Sequence, residues 1–268
     1  MDLGIKDKVA VVTGGSTGIG NATARELGEN GAKIVITARG RDRLDAAAGV
    51  LQDATGAEVL GVAADVSAPD DADRVISAAA DAFGSVDILV NNAGRAHAGG
   101  VLQTTDEDWR DMTGTKLLGM IHFCQAAVPH MRKNGWGRIV NMSSVGGIYP
   151  NPKLSISHAL SAGINNLTKS LALEVATDGI LVNAIGIGAV ITDNWANNMI
   201  PKARETHPDW ADLSDDDLVA RLGAAMTPVG HFGKPEDIAA LAAFLASGRN
   251  RFVTGATVEA SGGADRFI

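Results

Sequence analysis

Apolar residues gather in seven short runs: Val9-Ala10-Val11-Val12, Ile34-Val35-Ile36, Val59-Leu60-Gly61-Val62, Ile88-Leu89-Val90, Ile139-Val140-Asn141-Met142, Leu181 to Ile185 and Val253 to Val258. Residues that are apolar in succession, rather than at alternate positions, mark strands buried on both faces. Between the runs, apolar positions recur at helical spacing. Ile19 to Asn30 ends at Gly31, Asp42 to Ala54 ends near Gly56, and Asp70 to Phe83 ends at Gly84. Each of these glycines suits the left-handed residue that closes a helix. Asp106-Glu107-Asp108 places three acids in a first turn, where the macrodipole favours them, and that helix is expected to run to Met131. The alternation implies a doubly wound, Rossmann-type α/β fold, a parallel sheet of about seven strands with helices on both faces.

One segment breaks the rhythm. Residues 193–226, rich in Asn, Asp, Pro and Trp, separate the sixth strand from a helix that opens near Pro235. A stretch that long inside a compact domain reads as a substrate lid. Short helices are expected within it, one starting at Ser214-Asp215-Asp216-Asp217. With no linker or low-complexity tract, residues 1–268 read as one domain carrying this insertion.

Composition narrows the functions. Lys+Arg 23 against Asp+Glu 31 gives a net charge of −8, which excludes a strongly basic nucleic-acid surface. Hydrophobic content of 46% with 20% charged residues is that of a globular protein. No apolar run approaches the roughly 18 residues of a membrane span, and Met1-Asp2-Leu3-Gly4 opens no signal peptide. The single cysteine, Cys124, has no disulfide partner within the chain, so a reducing, cytoplasmic setting is expected. The histidines are scattered without ligand spacing, and no metal site is expected.

The densest chemical signal follows the first strand: Thr13-Gly14-Gly15-Ser16-Thr17-Gly18-Ile19-Gly20. In a strand–turn–helix context, small residues let the backbone approach a pyrophosphate, and the helix start offers free N–H groups. Asp65-Val66, Asn91-Asn92-Ala93-Gly94, Gly137 to Ser144 and Pro228 to Asp237 then follow in the order found in the short-chain dehydrogenase/reductase family. The chain resembles that family from Lys8 to about Gly263. The resemblance implies a pyridine dinucleotide held by Gly14, Ser16, Thr17, Gly18, Ile19 and Gly20. It also implies Asp65 and Val66 at the adenine, Asn92, Ala93 and Gly94 along the adenosine ribose, and Val190 and Thr192 at the nicotinamide. Ile187-Gly188 stands where the family commonly has Pro-Gly. The second strand ends Thr37-Ala38-Arg39 with no acid before Asp42, and Arg39 pairs naturally with a 2′-phosphate. NADP(H) is therefore favoured, with NAD(H) possible.

The catalytic positions depart from the family. The resemblance implies a serine, a tyrosine that supplies the proton, a lysine one helical turn later that lowers its pKa, and an asparagine on the preceding helix. Ser144 matches the serine. Ser157 and Ser161 occupy the tyrosine and lysine positions in Ser157-His158-Ala159-Leu160-Ser161-Ala162-Gly163, and Lys116 stands in place of the asparagine. Tyr149-Pro150-Asn151-Pro152-Lys153 spells Tyr-x-x-x-Lys, but its prolines forbid the helix that would bring the two side chains together. Lys116 either projects into the vacated volume as electrophile or proton donor, or keeps its head in water. His97 and His158 are further candidate proton carriers, and His122 is expected to pack.

Three functions are compatible with this pattern. One is an NADP(H)-dependent oxidoreductase acting on a carbonyl or alcohol through a rebuilt proton relay. A second is a non-redox lyase or isomerase on the same fold, and a third a cofactor-binding protein without dehydrogenase activity. A small-molecule partner is expected, apolar or cyclic by the lean of Trp195, Met199, Ile200, Trp210 and Leu213 in the lid. The resemblance also implies a homotetramer or homodimer built through the helices Asp106–Met131 and Ser157–Thr177. The apolar stripe Leu160, Ile164, Leu167 and Leu171 is equally explained by packing on the sheet.

Overall fold

The computed structural model describes residues 2–210 and 212–264. Its strands are β1 (Val9–Thr13), β2 (Lys33–Ala38), β3 (Val59–Ala63), β4 (Ile88–Asn91), β5 (Gly137–Ser144), β6 (Ile180–Ile187) and β7 (Thr257–Ala260). The helices are α1 (Gly18–Glu29), α2 (Arg41–Thr55), α3 (Pro69–Phe83), α4 (Asp106–Met112), α5 (Gly119–Asn134), α6 (Ser155–Val175), α7 (Asp193–Thr206), α8 (Asp215–Met226) and α9 (Pro235–Leu245). All the strands are parallel, in the order β3-β2-β1-β4-β5-β6-β7. The order reverses between β1 and β4, and the crevice beyond their carboxyl ends is where this topology binds ligands.

The unbroken apolar runs have a direct cause. On β1, Val9 and Val11 join one core cluster, with α3, α5 and α6. Ala10 and Val12 join the other, with α1, α2 and α9. A strand sandwiched between two helical layers leaves no position for a polar residue to face water. The stripe of α6 is absorbed in the same way: Leu160 and Ile164 are buried, and Leu167 and Leu171 pack against the first cluster.

Three sequence expectations need correction. The helix expected from Asp106 to Met131 is continuous in direction but carries a π-helical turn at Thr113–Leu118, between α4 and α5. Gly119, which follows that turn, lies so close to β3's exit that a Cβ there would be 3.0 Å from the Val66 carbonyl oxygen. The last strand starts at Thr257 rather than Val253. Gly255 turns through φ +66, and its N–H, with the Thr254 hydroxyl, ties this corner to Val182 of β6. Residues 193–226 hold two substantial helices, not short ones. Thr192 caps α7 by accepting from the Trp195 N–H at 3.2 Å, and Ser214 caps α8 by accepting from Asp217. Ile200, Ala203 and Leu218 form a small core between them.

Arg138 anchors the start of β5, the strand that delivers Ser144. Its buried guanidinium donates to the carbonyls of Ser247, Gly137, Gly179 and Asn250 and stacks 4.4 Å over Trp136. Burial pulls its pKa down to about 10. Arg138→Met keeps the volume but removes the donor from these carbonyls; Gly179 keeps the Gly137 N–H, and the other three lose their guanidinium partner. A loss of about 3 kcal/mol is expected at about 1 kcal/mol per lost bond. At roughly 2–4 °C per kcal/mol for a chain of this size, thermal unfolding should show a clear drop in Tm.

Candidate active site

The glycine turn after β1 is shaped by contacts that only small residues permit. Gly14 and Gly18 take φ +65 and +57. A Cβ on Gly15 would lie 2.6 Å from Ile36, and one on Gly20 would collide with the Gly14 carbonyl and the Asn92 amide. The turn is held by Gly14 and Gly15 N–H groups on the Thr37 carbonyl. At the start of α1, Thr17 makes no side-chain cap and no acid occupies the first turn, so the helix presents open donors to an anion. Asn92 closes the other side: its side-chain amide donates to the Thr13 and Gly14 carbonyls at 3.0 and 3.2 Å. The Thr13 hydroxyl accepts from the Asn92 and Ala93 N–H groups. Arg39 is exposed just past β2, and its charge reaches Asp65. The Asp65 carboxyl sits below its ordinary range, chiefly because Ser67 donates to it through hydroxyl and backbone N–H. Val66 is buried beside it, and Gly94 is exposed above the Lys116 stem. Across the crevice, Val190 bridges to Gly233 and Thr192 is spent on the α7 cap. Despite Ile187-Gly188, the backbone holds its course: Gly188 donates to Ala260, and a Cβ on it would lie 2.7 Å from Ser261. These features fit a dinucleotide with its pyrophosphate over α1.

The serines of α6 are not side by side with solvent. Ser157 and Ser161 are both buried. Ser161 donates to the Ser157 carbonyl at 2.8 Å and accepts from Lys116 Nζ at 2.9 Å, so its one proton is already committed. Lys116 projects from the middle of the π-turn into this volume, with Nζ also donating to the Ser157 carbonyl at 3.2 Å. It makes no ion pair with a described carboxylate, and burial pushes its pKa down from 10.5 to about 8. Ser157 Oγ accepts from the His97 N–H at 2.8 Å, which leaves its own proton to donate elsewhere. Ser144 Oγ accepts from the Gly146 N–H at 3.1 Å and likewise keeps its proton.

Sequence comparison identifies the family. An enoyl-(acyl carrier protein) reductase family model matches residues 14–265. The chain is 36% identical over 261 residues to the 3-oxoacyl-(acyl-carrier-protein) reductase FabG of Vibrio cholerae, covering 97% of this chain and 98% of that protein. The chain belongs to the short-chain dehydrogenase/reductase family. A FabG of Staphylococcus aureus is 33% identical over 96% of this chain and 97% of its own. The structure is similar to L-sorbose reductase of Gluconobacter frateurii, crystallised with NADPH and L-sorbose, with TM-score 0.92, 34% identity and full coverage of both chains. An actinorhodin polyketide ketoreductase variant with NADPH gives TM-score 0.85 and 33% identity over 95% of this chain and 96% of that one.

Within this family member, the remaining candidates fall into place. His97 Nε2 lies 3.0 Å from Asp108 Oδ1, while the other oxygen of that carboxylate caps α4 through Thr105. Sequence reading singled out His97 but missed Asp108. The Thr105-x-x-Asp108 capping box was visible as a pattern, whereas its second use required the fold. Tyr149 lies on a non-helical loop before α6, apart from the helix that carries Ser157. His158 is buried, and its Nδ1 accepts from the Asn151 N–H at 2.9 Å, fastening that loop to α6. His122 lies on α5 with a buried Nδ1. The apolar lean of the lid is largely spent internally. Ile200 and Leu213 serve its own core, Trp210 stacks on His207 at 3.9 Å, and Trp195 meets Phe232 edge-on at 4.8 Å. These side chains are therefore engaged within the protein.

The His158 pKa is lowered by burial and by the nearby Lys116 charge. Since the folded value lies below the unfolded 6.5, the unfolded chain gains a proton first as pH falls, and stability drops below about pH 6.5. Urea midpoints between pH 7 and pH 5 should fall more steeply for the natural protein than for His158→Gln, which cannot titrate.

Proposed function

We propose that this chain is an NADP(H)-dependent reductase of small carbonyl compounds whose proton donor is Lys116. The observation that carries the reading is the 2.9 Å bond from Lys116 Nζ to Ser161 Oγ. An ammonium reaches the α6 position where the family resemblance expects a lysine, but from the π-turn on the opposite side. The glycine turn and α1 hold the pyrophosphate, Arg39 the 2′-phosphate, and Asp65 with Asn92 the adenosine. When bound, NADPH supplies the hydride. The Ser144 and Ser157 hydroxyls receive the substrate oxygen and stabilise the charge that develops on it. Two N–H groups of Lys116 are engaged by Ser157 and Ser161. Its third, without a described acceptor, passes a proton to the alkoxide directly or through a water that fills the space of the missing phenol. A hydroxylated ketone is the favoured substrate class. The sorbose reductase similarity supports it, and so does the internal use of the lid's apolar side chains.

An unpaired ammonium at this depth is held at a cost. The shift from 10.5 to about 8, at about 1.4 kcal/mol per unit, is worth on the order of 3 kcal/mol at neutral pH. Lys116→Met should therefore raise Tm while lowering kcat/KM for ketone reduction by at least about 10²-fold, the usual contribution of a positioned acid. In the natural protein reduction requires the protonated lysine, so its rate should fall as pH rises through about 8. A Lys116→Met protein that reduces ketones at the natural rate, with that pH limb unchanged, would overturn the assignment. Arg39→Ala tests the cofactor separately. KM for NADPH should rise roughly 10- to 100-fold, as for a lost charged hydrogen bond, with KM for NADH unmoved.

A further inference from the structure

We infer that Lys116 is also a carbonyl-capturing nucleophile, whose neutral amine adds to an aldehyde or ketone and forms an imine. The inference concerns the same side chain as the proposed reductase but needs neither cofactor nor hydride transfer. Its basis is the hydrogen-bond count at Nζ. The two acceptors, the Ser157 carbonyl and Ser161 Oγ, saturate the two N–H groups of an amine and leave its lone pair without a donor. The third proton of an ammonium meets no described acceptor, so the site offers the charged form nothing that the neutral form lacks. Of the four carboxylates of α4, Asp106 pairs with Arg110, Asp108 with Thr105 and His97, and Asp111 with Arg95, while Glu107 is exposed and makes no ion pair with Lys116. From α6 the titratable neighbour is His158, whose protonated form would repel an ammonium. On the remaining sides the stem runs under Gly94 and lines a small cleft with Thr13, Asn91 and Ala93, where no ionisable group stands.

The chemistry balances without an oxidant or reductant. The Nζ lone pair attacks the carbonyl carbon, and the C=O π pair moves to oxygen, which takes up a proton to give the carbinolamine. Loss of that oxygen as water, with the remaining N–H proton, leaves the C=N bond. Capture removes the proton donor of the reductase, so the two chemistries of this nitrogen compete, one for each protonation state.

The test uses the whole natural protein with glycolaldehyde and sodium cyanoborohydride, which fixes any imine as a secondary amine read by peptide mass spectrometry. With a pKa of about 8 rather than 10.5, roughly 300-fold more of the amine is neutral at pH 7. Lys116 should accordingly be modified on the order of 10² times faster than exposed Lys133 and Lys202, with a rate that climbs through about pH 8. Lys116→Met should erase the fast component and leave the other sites unchanged. Modification of Lys116 at or below the rate of the exposed lysines overturns the inference. Fast labelling with no NADPH oxidation across a ketone panel supports the amine and sinks the reductase reading. Ketone reduction with slow labelling does the reverse.

Discussion

The site rests on one uncompensated charge. Lys116 carries a part-buried ammonium that meets two neutral oxygens instead of a carboxylate. In an interior of low effective dielectric, such a group is retained only where the surrounding architecture is stable enough to hold it. Proteins often sacrifice stability in this way at working sites, where rigidity and reactivity pull in opposite directions. Here the sacrifice is localised. The two acceptors of the nitrogen are a main-chain carbonyl and a buried serine hydroxyl, and neither can move far to relieve it.

What holds the charge in place is the conflict between two packing demands on one long helix. Gly119 must fit against Val66 at the edge of the cofactor crevice. α4 must keep its capped start at Thr105 and Asp108. A π-turn absorbs the extra residue between them, and such turns recur at functional sites because they re-aim a side chain without breaking the helix. The residue re-aimed is Lys116. The same region fixes the Ser157 hydroxyl by a main-chain donor, the His97 N–H, so its position depends on the backbone path of that loop more than on a side chain.

The sheet and the nucleotide turn were legible because their causes are local. Burial on two faces writes unbroken apolar runs, and a close backbone approach writes glycines. The serines Ser157 and Ser161, at the positions where the family resemblance implies a tyrosine and a lysine, were equally legible along α6. The direction of Lys116 was not, since a lone lysine on a helix reads the same whether it points inward or out. Only the π-turn decides it, and no periodicity announces a single widened turn. Asp108 was hidden for a related reason: one carboxylate served two partners, and the nearer masked the farther. In residues 193–226 the sequence shows that Ile and Leu are present but not that Ile200 and Leu213 pack within the segment rather than facing a pocket.

That insertion has a nucleus of its own, with Ile200, Ala203 and Leu218 enclosed between α7 and α8 and Arg204 clamped to Asp215 at 2.7 Å. A self-supporting module of this kind is decoupled from the sheet in energetic terms. Its outward surface is free to change its chemistry without disturbing the cofactor crevice, and the crevice can stay constant while the molecules admitted to it diverge.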